Sequence, residues 1–281
     1  MKMKAPGRLV SVNDTEIHVY SIPCSVTSKQ GTIVFLSGSG TECPMYDFKP
    51  LWHLLRGRYN MVIVERPGYG WSGVTNFPRD IDTILEETRE ALRQAGISAP
   101  FVPAAHSLSG LEALYWSQKY PDEISAIIGL DMAVPPVYIK MELPRLFNLQ
   151  VKIGHLLRSP IARSMVKQHP AVKSNLLDEN EQAVMKYIIS NQLLSKNMID
   201  EINYVKENAL KVASRRCPTV PLLCYLSNDK ANLKRVPMWG KIHHDYFADN
   251  SQAKFIDLEC GHYVHREAPQ RIADTIGQIF S

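Results

Sequence analysis

No cysteine pair in this chain has CxxC spacing, no apolar run approaches 18 residues, and no segment is repeated or of low complexity. Each absence excludes something. The five cysteines (24, 43, 217, 224 and 260) cannot all be bridged, and three lie in or beside apolar runs. That is the setting of buried thiols in a reducing compartment, not of a disulfide scaffold. The His, Cys and Asp spacings match no zinc or calcium site, so no metal is expected. Without a long apolar run no membrane span is expected. The opening "MKMKAPGRLVSV" has charge but no apolar h-region, so no signal peptide is expected and the cytoplasm is the default location. Basic residues are scattered, with Arg215-Arg216 and Lys234-Arg235 the only tight pairs, and the net charge is only +4. A nucleic-acid face needs a concentrated basic stripe, so that class of partner is not expected; a small-molecule substrate is.

What is present is an alternation. "GRLVSVNDTEIHVYSI" reads as a hairpin turning at Asn13-Asp14. Six short apolar runs follow: "TIVFLS" (32–37), "MVIVE" (61–65), "FVPAA" (101–105), "ISAIIGLD" (124–131), "PLLCYLS" (221–227) and "AKFIDLE" (253–259). Bounded, Val- and Ile-rich runs of this length predict buried parallel strands. Helical patterns lie between them. The clearest, "RDIDTILEETREALRQAG", puts Ile81, Ile84, Leu85, Thr88, Leu92 and Ala95 on one face, with Asp80 or Asp82 as its cap and Gly96 as its stop. Eight strands alternating with helices imply a mostly parallel α/β sheet. From Met132 to Arg216 no strand is visible, only helical patterns, one of them carrying Ile199, Ile202, Val205, Ala209 and Val212 behind Asn197 as cap. Residues 132–216 are therefore expected to form a helical cap over the carboxyl edge of a core built from 1–131 and 217–281. Sites of α/β sheets lie at that edge.

Chemistry enters at "AAHSLSG". A strand running into a helix through small-x-Ser-x-small is a nucleophile elbow, in which bulky residues two positions either side of the serine would collide. With Ser107 as nucleophile the flanking residues are Ala105 and Ser109; with Ser109 they are Ser107 and Leu111, and the leucine does not fit. Ser107 is the candidate, and Ser109 would donate locally. A serine needs a base. Of nine histidines, His262 follows the last strand and precedes the last helix, so it reaches the same edge. His106 is expected to pack, His265 to point elsewhere, and His243 and His244 to be solvated. An oxyanion hole needs two donors. The backbone N–H of Leu108, at the helix start, supplies one; the loop "GSGTECP" after the first parallel strand supplies the other, assigned to Ser39.

Four blocks, "FLSGSG", "VERPGYGWSG", "AHSLSG" and "GHYVHREAP", resemble the motifs of the α/β-hydrolase superfamily in order and spacing over nearly the whole chain. The resemblance departs at Ser37, where the family has His, and at Ala105 and Ser109, where it has Gly. It implies the α/β-hydrolase fold and serine-hydrolase chemistry without a cofactor. Dehalogenases and epoxide hydrolases of the fold use aspartate where Ser107 stands, so the resemblance points away from both. Hydrolysis of a small or medium, partly apolar carboxylic ester is the modal expectation. An aminopeptidase, a carbon–carbon bond hydrolase or a small-molecule receptor of the same fold are the alternatives. Two residues compete as the acid. Asp229 follows "PLLCYLS", the family's commonest place, but with Ser227 at the usual glycine position the register falls on Lys230. Asp131 closes "ISAIIGLD", where some members carry their acid. A carboxylate ending so apolar a strand needs a partner. Asp131 is preferred.

Overall fold

Asn13, at φ 54°, turns the chain between β1 (Arg8–Val12) and β2 (Thr15–Ile22), which pair antiparallel with Arg8 opposite Val19. Asparagine tolerates this left-handed conformation better than most side chains. The computed structural model describes residues 4–24, 31–140, 158–228 and 230–279, and in it the hairpin opens an eight-stranded sheet. The other strands are β3 (Thr32–Leu36), β4 (Met61–Glu65), β5 (Phe101–His106), β6 (Ile127–Leu130), β7 (Leu222–Ser227) and β8 (Ala253–Leu258), and the order is β1-β2-β4-β3-β5-β6-β7-β8. β2 is antiparallel to β1 and β4, and the strands from β4 to β8 run parallel. Every residue of β4, β5, β6 and β7 is buried, which is why their apolar runs are unbroken.

Helices cover both faces. On one, α3 (Ile81–Gln94) and α4 (Gly110–Lys119) bury Ile81, Leu85, Leu92, Leu111 and Leu114 against the sheet. Asp80 caps α3, accepting from Asp82 N and Thr83 N, and Gly96 ends it at φ 76°. On the other face lie α1 (Pro44–Asp47), α2 (Lys49–Leu55), α12 (Val264–Glu267) and α13 (Pro269–Ile279), with Leu51, Leu55, Ile272 and Ile276 inward. β3 continues to one side of the sheet and β5 to the other. Their carboxyl ends therefore flank a crevice at a topological switch point.

The elements described between β6 and β7 are all helices: α5 (Pro135–Ile139), α6 (Arg158–Gln168), α7 (Pro170–Lys173), α8 (Glu179–Gln192) and α9 (Lys196–Ala213). This insertion has its own apolar cluster, in which Ala162, Val166, Met185, Ile188 and Ile189 close over Cys43, Met45 and Tyr46. The cap of α9 differs from expectation. Ser195 is the cap, accepting from Met198 N, while Asn197 sits buried in the first turn and pairs with both Thr75 N and Thr75 O. A tertiary partner claims the side chain that could have capped locally. After β7 come α10 (Lys230–Arg235) and α11 (Trp239–Tyr246).

Candidate active site

Ser107 is held at φ 53°, in the left-handed region that few non-glycine residues occupy. The turn keeps it there. Ala133 N donates to Ser107 O at 2.8 Å, and Ser109 Oγ lies 2.7 Å from Leu36 O and 2.9 Å from His106 O. Small neighbours are demanded on both sides. A Cβ on Gly38 would come within 2.8 Å of Ser107 Cβ, and one on Gly110 within 2.2 Å of Ala133 O. Gly38 thus brings the loop after β3 directly against the serine.

His262 stands in the loop after β8, where Gly261 N donates to Glu267 Oε2 at 2.8 Å and closes the turn. Its Nε2 lies 2.9 Å from Ser107 Oγ and its Nδ1 2.6 Å from Asp131 Oδ2. Asp131 is fully buried at the end of β6, at φ 51°. Three more donors converge on its carboxylate: Ser227 Oγ on Oδ2 at 2.7 Å, and Ser227 N and Trp239 Nε1 on Oδ1, each at 2.8 Å. A carboxylate so surrounded by donors accepts from Nδ1–H, which leaves Nε2 free to accept the Ser107 proton. The structure therefore brings Ser107, His262 and Asp131 into one line. Leu108 opens the helical turn after Ser107, where its N–H has no carbonyl one turn back. Ser39 follows the abutting Gly38 and is half-buried. Asp229 lies outside the described residues.

Two histidines behave differently from one another. His106 packs as expected, with ring centroids 4.7–4.8 Å from those of His262, Tyr263 and His265. Burial holds its imidazole well below the ordinary value, and the neighbouring His265 and His262 add to this. His243, expected to be solvated, is fully buried on α11, with Nδ1 2.8 Å from Trp239 O and Nε2 2.6 Å from Met132 O. It braces the two segments that carry Asp131 and Trp239. Its polar neighbours in sequence gave no sign of this, because the burial depends on the distant segment after β6 as well as on Trp239 of its own helix. Tyr138 on α5, which no motif in the sequence marks, has its hydroxyl within hydrogen-bonding reach of Ser107, and burial pushes its phenol up to about 12. Behind His262, the buried Asp47 carboxylate accepts from His265 Nε2 at 2.6 Å and pairs with Arg266. Among the described residues no group of three His, Cys, Asp or Glu side chains could hold a metal ion, and no helix is long and apolar enough to cross a membrane.

The chain is similar to known proteins in sequence and in fold. The uncharacterized protein YbdG of Bacillus subtilis (strain 168) is 32% identical over 277 residues, covering 96% of this chain and 84% of its own. The bifunctional esterase/perhydrolase DCH of Acinetobacter calcoaceticus is 27% identical over 130 residues, 42% of this chain and 47% of its own. Among solved structures, Cfl2 from Burkholderia cenocepacia superposes with a TM-score of 0.75 at 18% identity, over 98% of this chain and 95% of that one. The sequence pattern of the alpha/beta hydrolase family matches residues 33–275, from the first parallel strand to the last helix. With the eight-stranded sheet, its strand order and the loops at the switch point all in place, the chain belongs to the alpha/beta hydrolase family.

Proposed function

We propose that the protein is a serine hydrolase that cleaves a small or medium, partly apolar carboxylic ester through an acyl-enzyme. The observation that carries this reading is the unbroken line from Asp131 through His262 to Ser107, with separations of 2.6 and 2.9 Å. Ser107 Oγ attacks the ester carbonyl carbon while His262 Nε2 takes its proton. The carbonyl oxygen becomes an oxyanion facing the N–H groups of Leu108 and Ser39. Collapse breaks the bond to the alkoxy group, which leaves with the proton from His262. Water, deprotonated by the same nitrogen, then releases the acid and restores Ser107. Asp131 holds Nδ1 protonated and offsets the charge on the imidazolium. The helical insertion serves as a cap over this edge, and residues 132–216 are assigned to it. The likeness to an esterase/perhydrolase supports ester chemistry.

The test is active-site labelling joined to turnover. A fluorophosphonate should label Ser107 stoichiometrically, and Ser107→Ala should abolish labelling and lower kcat on short p-nitrophenyl esters on the order of 10⁴-fold or more. Tight binding of an ester without sustained hydrolysis would replace the enzyme reading by that of a receptor. Labelling at Ser109 would overturn the placement of the nucleophile.

A further inference from the structure

One buried guanidinium joins the loop after β3, the first turn of α4 and the helical insertion. Arg66 follows β4 and is 4% exposed. Its Nε and Nη2 fork onto the two oxygens of Glu201, at 3.0 and 3.2 Å. Glu201, on α9 of the insertion, is 1% exposed and also accepts from Tyr69 Oη at 2.7 Å. The remaining nitrogen of Arg66, Nη1, donates to Ser37 O at 3.0 Å and to Glu112 Oε2 at 3.4 Å. Ser37 begins the loop that carries Ser39. Glu112 lies in the first turn of α4, the helix that the Leu108 N–H precedes, and is fixed from behind by Thr88 Oγ1 at 2.6 Å. A cavity of about 20 Å³ lined by Arg66, Leu108, Ser109, Glu112 and Glu201 places this network directly under the nucleophile turn.

Stability alone does not account for such a network. Charges taken from water lose hydration that their mutual attraction barely repays, and apolar residues of similar volume often do as well. What the planar fork supplies is geometry: fixed donors in fixed directions, joining three segments distant in sequence. We propose that Arg66, seated by Glu201, is a positioning residue that sets the spacing between the two oxyanion donors, so that the hole is competent only while α9 is docked. Its Nη1 pulls the Ser37 loop and the α4 turn toward one point. Among the described residues, the hydrogen-bond partner of its other edge is Glu201 of the insertion, while the Tyr69 ring lies against its face with the centroid 4.8 Å from Cζ. Undocking α9 removes the fork, frees Nη1 to turn, and lets the Ser39 N–H drift from the site where negative charge develops. Burial by itself would lower the charge affinity of Arg66, but Glu201, with Tyr69 and Glu112, more than offsets it, so the side chain remains charged.

This inference rests on the serine-hydrolase reading, and the experiment separates the two. Arg66→Lys and Glu201→Gln are compared with wild type for kcat and KM on a p-nitrophenyl ester, for affinity toward a trifluoromethyl ketone, and for Tm. The ketone becomes an oxyanion on attack by Ser107 and so reports the hole itself. Displacing one oxyanion donor should lower kcat about 10- to 100-fold with KM changed less than about threefold. Ketone affinity should fall in parallel. Val205→Ala, a buried position of α9 that makes no bond to Arg66, should lower Tm yet leave kcat within about twofold. Glu201→Gln keeps the side-chain shape and so serves where Arg66→Lys fails to fold. Normal kcat and ketone affinity in the folded variants would overturn the proposal, as would an equal loss in Val205→Ala, which would make the effect one of packing. A wild-type protein that neither labels nor turns over would remove the hydrolase reading, and this proposal with it.

Discussion

Asp131→Asn replaces one oxygen of a fully buried carboxylate by an NH₂ group, and the surroundings dictate which one. Ser227 N and Trp239 Nε1, both 2.8 Å from Oδ1, can only donate, so the amide oxygen must take that side. The NH₂ then faces His262 Nδ1 and Ser227 Oγ, at the 2.6 and 2.7 Å now occupied by Oδ2, and both of these can accept. Ser227 N and Trp239 Nε1 keep their acceptor, only the Ser227 hydroxyl proton must turn away from the new NH₂, and asparagine tolerates φ 51° as aspartate does. The variant should therefore fold, with Tm within a few degrees of wild type. Its imidazole, however, is locked with the proton on Nε2, aimed at Ser107 Oγ, and cannot take the serine proton. By analogy with serine-triad enzymes, kcat should fall on the order of 10³–10⁴, about 4–5.5 kcal/mol of activation free energy. Asp131→Ala is the poorer probe, because orphaning Ser227 N and Trp239 Nε1 would cost about 1–3 kcal/mol each and mix stability with catalysis. The assay is steady-state hydrolysis of a p-nitrophenyl ester beside the rate of fluorophosphonate labelling, with a thermal melt as the folding control. A folded Asp131→Asn protein within about tenfold of wild-type kcat would refute the reasoning and make Asp229 the next residue to test.

Acid should destabilise the fold through His106. Its folded-state value is held well below the ordinary 6.5, so below that pH the unfolded chain takes up a proton that the folded one refuses. Stability is then lost as the pH falls, by about 1.4 kcal/mol per pH unit from this ring. Urea unfolding at pH 7.5 and 5.5 should show the drop, and His106→Phe should flatten it by that amount; equal slopes in the two proteins would refute the assignment. Tyr138→Phe removes a hydroxyl within reach of Ser107 while keeping the ring on α5. A net neutral hydrogen bond is worth about 0.5–1.5 kcal/mol, so kcat and the labelling rate should fall about 2- to 12-fold. Unchanged rates would show that the hydroxyl has no part in the site.

Much of the architecture is local, and local features are legible. The strands β3 to β7 are short apolar runs because both their faces are covered. The α3 helix shows its buried face, its Asp80 cap and its Gly96 stop within eighteen residues. The elbow at Ser107 is readable for the same reason, since its steric demands fall on residues within a few positions of the serine. Contacts between distant segments are not legible in this way. Asn197 has the chemistry of a cap but is taken by Thr75, and His243 looks solvated in sequence but is buried by the segment after β6. Glu201 and Asn208 stand in the buried face of α9, where a polar residue disguises an inward stripe. The convergence of the Asp131, His262 and Ser107 side chains depends on which strand ends lie side by side. β6 pairs with β7, so Ser227, at the position where the family's glycine is usual, donates twice to Asp131. The sequence by itself determined the sheet, the serine turn and the family. The tertiary structure alone decided which carboxylate meets His262 and what Arg66 joins, because those distances are set by strand order and helix docking, to which no local pattern is bound.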